Sequence, residues 1–191
     1  MQTIESTQAQ SHAVIYRVNP EGRVTFVNPA WSEFARDNHG EAVMPERIVG
    51  CSLLDAITGT TVRELYRGLI TRARAGHPAR FHYRCDAPHK RRVFEMNVHR
   101  LADGDVEFVS TLLHEEERPP VALLETGQPR DERMLRICSW CQKVEMPDRQ
   151  WLPVEAAIEI MPLMKADRFP TLTHGICASC LAKFGTSLGL D

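Results

Sequence analysis

No run of even fifteen residues in this 191-residue chain is free of charged side chains. A membrane-crossing helix needs about 20 apolar residues, so a membrane span is excluded. The opening residues, Met1-Gln2-Thr3-Ile4-Glu5-Ser6, lack the basic start and apolar core of a secretory signal, and the expected location is cytoplasmic. A P-loop, a G-x-S-x-G elbow, an H-E-x-x-H helix and a paired acid–base set are all missing, so the expectation is a protein that is not an enzyme. An excess of one charge is missing too: 23 Lys+Arg stand against 25 Asp+Glu, a net −2, which argues against a generally basic nucleic-acid coat. Apolar residues at 43% and charged residues at 25% are an ordinary globular balance rather than a disordered one. There is no internal repeat.

What is present begins with cysteine. Of six, Cys51, Cys85, Cys138, Cys141, Cys177 and Cys180, the last four form two C-x-x-C pairs. Without a secretory signal such thiols stay reduced, and paired C-x-x-C in a reducing compartment reads as metal binding. Cys51 and Cys85 read as small buried hydrophobes.

Residues 118–134 carry three prolines, a glycine and mixed charges without helical or strand periodicity, the pattern of a linker or irregular wrap. Val121, Leu123 and Leu124 in it are expected to lie against a neighbour. The chain therefore divides into a mobile lead-in at 1–10, a first domain at 11–117, a linker at 118–134 and a cysteine module at 135–185.

In the first domain, residues 13–18 and 23–27 are rich in β-branched and aromatic side chains. The turn Asn19-Pro20-Glu21-Gly22 between them makes a hairpin. Asn28-Pro29 then reads as a helix cap with proline in the first helical position, followed by Trp31, Phe34 and Ala35 on one helix face. Thr61 and Glu64 have capping-box spacing, and Val62, Leu65, Tyr66, Leu69, Ile70 and Ala73 recur with helical period. Gly76 and Pro78 stop that helix. Three strands follow: Phe81, Tyr83 and Cys85 alternate with Arg80, His82 and Arg84; Phe94, Met96 and Val98 alternate with Glu95, Asn97 and His99; Val106 to Leu113 completes the set. The turns are Asp86–His89 and Ala102–Asp105. The result is an α+β domain.

The run Tyr16-Arg-Val-Asn-Pro-Glu-Gly-Arg-Val-Thr-Phe-Val-Asn-Pro-Ala-Trp31 resembles the opening of a PAS domain, and Ile48-Val-Gly-Cys-Ser-Leu-Leu-Asp55 resembles the segment preceding the long PAS helix. The resemblance covers about 105 residues. It implies a five-stranded antiparallel sheet with short helices on one face, a sensing or partner-docking role, and pairing into a homodimer. Flavin photochemistry of the LOV type is rejected: the position three beyond Gly50 is Leu53, not the reactive cysteine that chemistry needs. Haem requires an axial histidine in an apolar pocket, but His82 and His99 alternate with apolar residues, and His77 and His89 fall in turns. Trp31, Phe34, Tyr66, Phe81 and Met96 read either as a small-ligand pocket or simply as core.

Between Arg63 and Arg100 ten Lys/Arg face three Asp/Glu, while Asp103 to Glu117 holds six acids and no Lys or Arg. Lys90-Arg91-Arg92 falls at the expected hairpin turn. An anion or nucleic-acid surface is one reading; cross-strand pairing with the acidic run is preferred.

In the second domain, Ile137-Cys138-Ser139-Trp140-Cys141 and His174-Gly175-Ile176-Cys177-Ala178-Ser179-Cys180 offer four thiolates, the set of structural zinc. An iron–sulfur cluster is the rival; a dithiol oxidoreductase would need a thioredoxin-like setting. Residues 142–144 and 150–154 are expected to pair as a hairpin around Met146–Arg149. Pro153 opens a helical run with Val154, Ala157, Ile158 and Met161 on one face, ended by Pro162. Cys177 and Cys180 lie where a short helix starts, an arrangement that resembles a treble-clef zinc finger. The whole segment resembles a short C-terminal cysteine module that follows PAS or response domains in bacterial signalling proteins, with Gln142 in place of a common basic residue. That resemblance implies metal binding, and the four-thiolate set reads as Zn2+ at Cys138, Cys141, Cys177 and Cys180, with His174 a rival ligand or a donor to a sulfur. The combined expectation is a PAS-type sensory or adaptor protein that signals through a protein partner. A redox or gas sensor holding an iron–sulfur or haem group, and a nucleic-acid-binding regulator, are the alternatives.

Overall fold

The computed structural model describes residues 12–161 and 168–188. The expected lead-in at 1–10 and the expected helix stop at Pro162 lie outside them.

Strands β1 (Val14–Val18) and β2 (Val24–Val27) form the first hairpin, paired antiparallel with Tyr16 opposite Val27. Gly22, at φ 83, takes the left-handed turn position that a side chain disfavours. Asn28 caps helix α1 (Pro29–Asp37) by accepting from the Trp31 amide, with Pro29 in the first helical position as expected. Two one-turn helices follow, α2 (Pro45–Ile48) and α3 (Leu53–Ala56), then α4 (Thr60–Arg74). Helix α4 starts two residues earlier than the capping-box spacing implies, at Thr60 rather than Val62. Thr61 therefore lies inside the first turn, and Glu64 pairs with Arg67 along the helix instead of reaching back to a cap.

Strands β3 (Ala79–Arg84), β4 (Lys90–Arg100) and β5 (Val106–Glu117) complete a sheet of order β2-β1-β5-β4-β3, in which β1 runs antiparallel to β5. This is the α+β, five-stranded architecture expected. Lys90, Arg91 and Arg92 are not at the turn but open β4, because the Ala87–Lys90 bridge closes the hairpin earlier.

The second sheet has order β8-β7-β6-β9. Its strands are β6 (Arg130–Cys138), β7 (Val144–Glu145), β8 (Trp151–Leu152) and β9 (Phe169–Gly175). Helix α5 (Val154–Ile160) and helix α6 (Ala178–Leu188) accompany it. The expected hairpin is found, with Val144 opposite Leu152. Strands β6 and β9 were not expected. They pair in parallel, from Arg130 opposite Phe169 to Cys138 opposite Gly175. Within 118–134, Leu123 is fully buried in a 3-10 turn at Ala122–Leu124, and β6 begins at Arg130.

The chain forms two compact units: one through Ile57 with Arg63–His82 and Phe94–Leu113, the other of Thr58–Val62, Tyr83–Val93 and the residues from His114 onward. The first unit's core gathers Val18, Val24, Leu69, Val98, Val106 and Phe108. The second packs Leu123, Leu135, Ile137, Val144, Val154, Ala157 and Ile158 together. Among the described residues no helix is long and apolar enough to cross a membrane.

Candidate metal centre

The parallel ladder is what makes the site. Cys138, the last residue of β6, stands opposite Gly175 at the end of β9, and the Ser139 amide extends the ladder to the Gly175 carbonyl at 2.9 Å. Two residues beyond Gly175 comes Cys177, so residues 39 apart in sequence become neighbours. After Cys138 the chain turns tightly into β7. The Cys138 amide donates to the Lys143 carbonyl at 2.8 Å, and the Gln142 amide returns to the Cys138 carbonyl at 2.9 Å. The turn requires Gln142 at φ 59, the left-handed region few side chains favour. It brings Cys141 back beside Cys138.

The other pair is set by a helix start. The Cys177 carbonyl accepts from the Leu181 amide at 2.9 Å, and its sulfur accepts from the Cys180 amide at 3.4 Å. Cys177 thereby serves as the N-cap of α6, its sulfur taking the place of a serine or aspartate oxygen. The Cys177 amide in turn donates to the Cys138 sulfur at 3.4 Å.

The four sulfurs all lie within 4.8 Å of one another, with Cys141 and Cys177 at 3.7 Å. A tetrahedral ion with metal–sulfur bonds of about 2.3 Å sets its ligands about 3.8 Å apart, so the spacing fits. Cys138 and Cys177 are buried, Cys141 and Cys180 half-buried. Trp140 and Phe184, both buried, meet edge to face at 5.0 Å in the same module.

The thiols share protons unequally. The hydrogen bond from Cys141 pulls Cys138 down to about 4 against the opposing effect of burial, with the Cys177, Cys141 and Trp140 amides adding to it. Cys141 is pushed up, chiefly by the hydrogen bond its thiol donates to Cys138. Burial, first of several causes, also raises Cys180. Without an ion, Cys138 favours the thiolate while Cys141 and Cys180 favour the thiol. A divalent ion reverses that preference by deprotonating its thiol ligands. Soft sulfur donors in tetrahedral arrangement select zinc or an iron–sulfur group. His174 sits on β9 opposite Ile137 and is not among the four converging residues.

The five side chains singled out for a small-ligand pocket lie in or beside the first unit's core. Met96 is buried, and Trp31, Phe34, Tyr66 and Phe81 are half-buried. Tyr16 stacks on Phe108 at 4.6 Å and meets Trp31 edge-on at 5.3 Å, while Phe34 meets Phe94 at 5.8 Å and Tyr66 meets Phe108 at 6.0 Å. The Trp31 indole N–H donates to the Val43 carbonyl at 2.7 Å. Tyr16 and Phe108, central to this group, were read only as strand residues. Cys51 is exposed rather than buried. Its carbonyl pairs with the Val24 amide, and its thiol donates outward to the Arg47 carbonyl at 3.1 Å. Cys85 is half-buried, and burial pushes its thiol up.

A buried charge cluster in the second unit has no signature in the sequence. Arg118 donates to Glu155 at 2.8 Å and lies 3.2 Å from Asp86, whose side chain is fully buried. Arg84 also pairs with Asp86, and Arg91 bridges Glu155 and Glu116, both at 2.8 Å. Lys90 reaches Glu115 at 2.6 Å. Here the basic strand and the acidic one do pair across.

Residues 9–116, more than half of the chain, match the profile of a family described as the PAS fold. Among solved structures, a domain of an HTR-like protein from Haloarcula marismortui is 16% identical with a TM-score of 0.36, covering 53% of this chain and 98% of that one. A sensory box sensor histidine kinase from Vibrio cholerae is 13% identical with a TM-score of 0.38, covering 58% of this chain and 88% of that one. A search of curated proteins finds no match.

Proposed function

The chain belongs to the PAS fold family through residues 9–116, and from that premise we propose that it is a sensory or adaptor protein of signal transduction whose C-terminal module is built on a structural Zn2+. Cys138, Cys141, Cys177 and Cys180 hold the ion, which supplies a cross-link between the β6–β7 turn and the start of α6. One observation carries the reading: four sulfurs from two distant C-x-x-C pairs converge within 4.8 Å. Four thiolates leave a zinc ion no open position for substrate, so the protein acts by binding rather than catalysis. Its signal passes through contacts with a protein partner in the cytoplasm, and the PAS segment pairs into a homodimer. Pairing of Lys90 and Arg91 with Glu115, Glu116 and Glu155 neutralises part of the basic run, which disfavours a nucleic-acid role.

Elemental analysis with a visible spectrum, on protein purified without added metal, tests the reading. The expected result is about one zinc per chain, the count of a single four-thiolate site, and no visible absorbance. Iron with visible bands would replace the zinc reading with an iron–sulfur redox sensor.

A further inference from the structure

Strand β3 is an edge strand of the five-stranded sheet. Its last residue, Arg84, and the turn that follows belong to the same compact unit as the four cysteines. The Cys85 amide points inward and bonds the Arg92 carbonyl of β4 at 3.1 Å. The Arg84 amide, one residue earlier, points to the open side and donates to the Trp140 carbonyl at 2.7 Å. Trp140 lies between Cys138 and Cys141, so the acceptor belongs to the turn that carries two of the thiols. Gln142 closes the same turn and sends its side-chain amide to the Arg84 carbonyl at 3.4 Å. The cysteine turn thus adds one rung to the sheet's exposed rim, where an unpaired amide would otherwise face water.

We infer that metal occupancy of the four-cysteine site and the order of the β3 rim at Arg84 are thermodynamically linked, the Trp140 carbonyl being the connecting group. This rests on the zinc reading of the site. A metal fixes Cys138 and Cys141 and with them the carbonyl between them; a fixed carbonyl holds the Arg84 amide. Linkage is reciprocal, so whatever disturbs the rim also weakens the grip on the metal. The neighbouring turn is held separately. Arg118 donates to the carbonyls of Ala87 at 2.8 Å and Pro88 at 3.2 Å, its own amide bonds the His89 carbonyl at 2.9 Å, and the Ala87 amide bonds the Lys90 carbonyl at 3.0 Å. Ala87 therefore serves as an internal reference that does not depend on the cysteines.

The test has two arms on the full chain. In the first, amide hydrogen exchange is compared for zinc-loaded protein and the same protein after chelation. Exchange at Arg84 rises at least about tenfold on chelation and returns on adding zinc, while Ala87 keeps its protection. In the second, zinc affinity is measured by chelator competition for Arg84→Pro and Arg84→Ala. Both lose the ion pair to Asp86, but only proline removes the amide donor, and an edge strand tolerates it. Arg84→Pro binds zinc roughly 2- to 10-fold more weakly than Arg84→Ala, the worth of one net hydrogen bond. Should Arg84→Pro not fold, the exchange comparison decides alone. Zinc binding at about one per chain with unchanged Arg84 exchange, or equal affinities in the two folded variants, overturns the linkage and leaves the zinc reading standing. A wild-type chain that takes up no zinc overturns both.

Discussion

Gln142 shows how closely a single residue can be constrained by the site. At φ 59 it occupies a conformation that a β-branched side chain avoids, so Gln142→Val costs about 1–2 kcal/mol, while Gln142→Gly stays close to wild type; urea titrations of the two variants check the contrast. Arg118 is constrained by charge. Its side chain is 3% exposed, against an Asp86 that is fully buried, and removing one partner of a buried pair leaves the other uncompensated. Arg118→Ala costs about 3 kcal/mol in the same titrations. Glu155 makes the cluster pH-sensitive. Burial would raise it, yet its own backbone amide and hydrogen bonds from Arg91 and Arg118 bring it from 4.5 down to about 2. Folding therefore favours the ionised form. The stability this gives is complete above about pH 4.5 and is lost as pH falls towards 2. Melting temperatures recorded between pH 5 and pH 2 fall less steeply for Glu155→Gln than for wild type. None of these three roles was legible in the sequence. A lone arginine beside Pro119 and Pro120 reads as surface, and its partners Asp86 and Glu155 lie more than thirty residues away on either side.

At the scale of elements, legibility followed period and proximity. Helix α4 and the strands of the first unit announce themselves because their apolar residues repeat locally: Val62, Leu69, Ile70 and Ala73 are buried on α4, and Phe94, Met96 and Val98 on β4. Strand β6 does not, because Arg130-Asp131-Glu132-Arg133 reads as a solvated run. Its partner β9 carries Pro170 and Gly175, residues that argue against a strand. Their pairing is parallel and non-local, so neither segment reveals the other. The four converging cysteines were legible nevertheless, since the spacing within each C-x-x-C pair is local even though the pairs are not. Cys177 caps the helix and, in the zinc reading, also binds the metal, and the two duties separate by substitution. Serine keeps an oxygen for the Cys180 amide but loses the thiolate. Cys177→Ser thus retains a cap, releases the metal, and leaves 135–185 open to protease while the strands around Phe94–Val98 and Val106–Ser110 stay protected. Mapping the cleavage sites by mass spectrometry checks this. Full resistance of the C-terminal half would show that the module does not need its metal.

At the scale of the molecule, the order of pieces was legible and the borders of the compact units were not. Asn-Pro caps, hairpin turns and strand alternation in the right succession identify the first fold, although each alone is weak. Nothing in β3, β4 or β5 marks where the first unit ends, yet Tyr83–Val93 and the residues from His114 onward fall in the second. A small module of this kind has little core of its own, and a zinc site supplies about 10–16 kcal/mol of apparent binding energy. Calorimetry of the chelated protein accordingly loses the transition of the cysteine module at 135–185, while the Ala87 turn and the first unit's core remain folded at that temperature.

The parallel pairing of β6 with β9 also has a consequence in time. Cys138 leaves the ribosome 39 residues before Cys177, which at 5–20 residues per second is a delay of roughly 2–8 s. For that interval the nascent chain presents one pair of thiols with half a coordination shell and no strand to complete it. In the zinc reading, Cys138 and Cys141 must therefore stay reduced and unclaimed until Cys177 and Cys180 emerge.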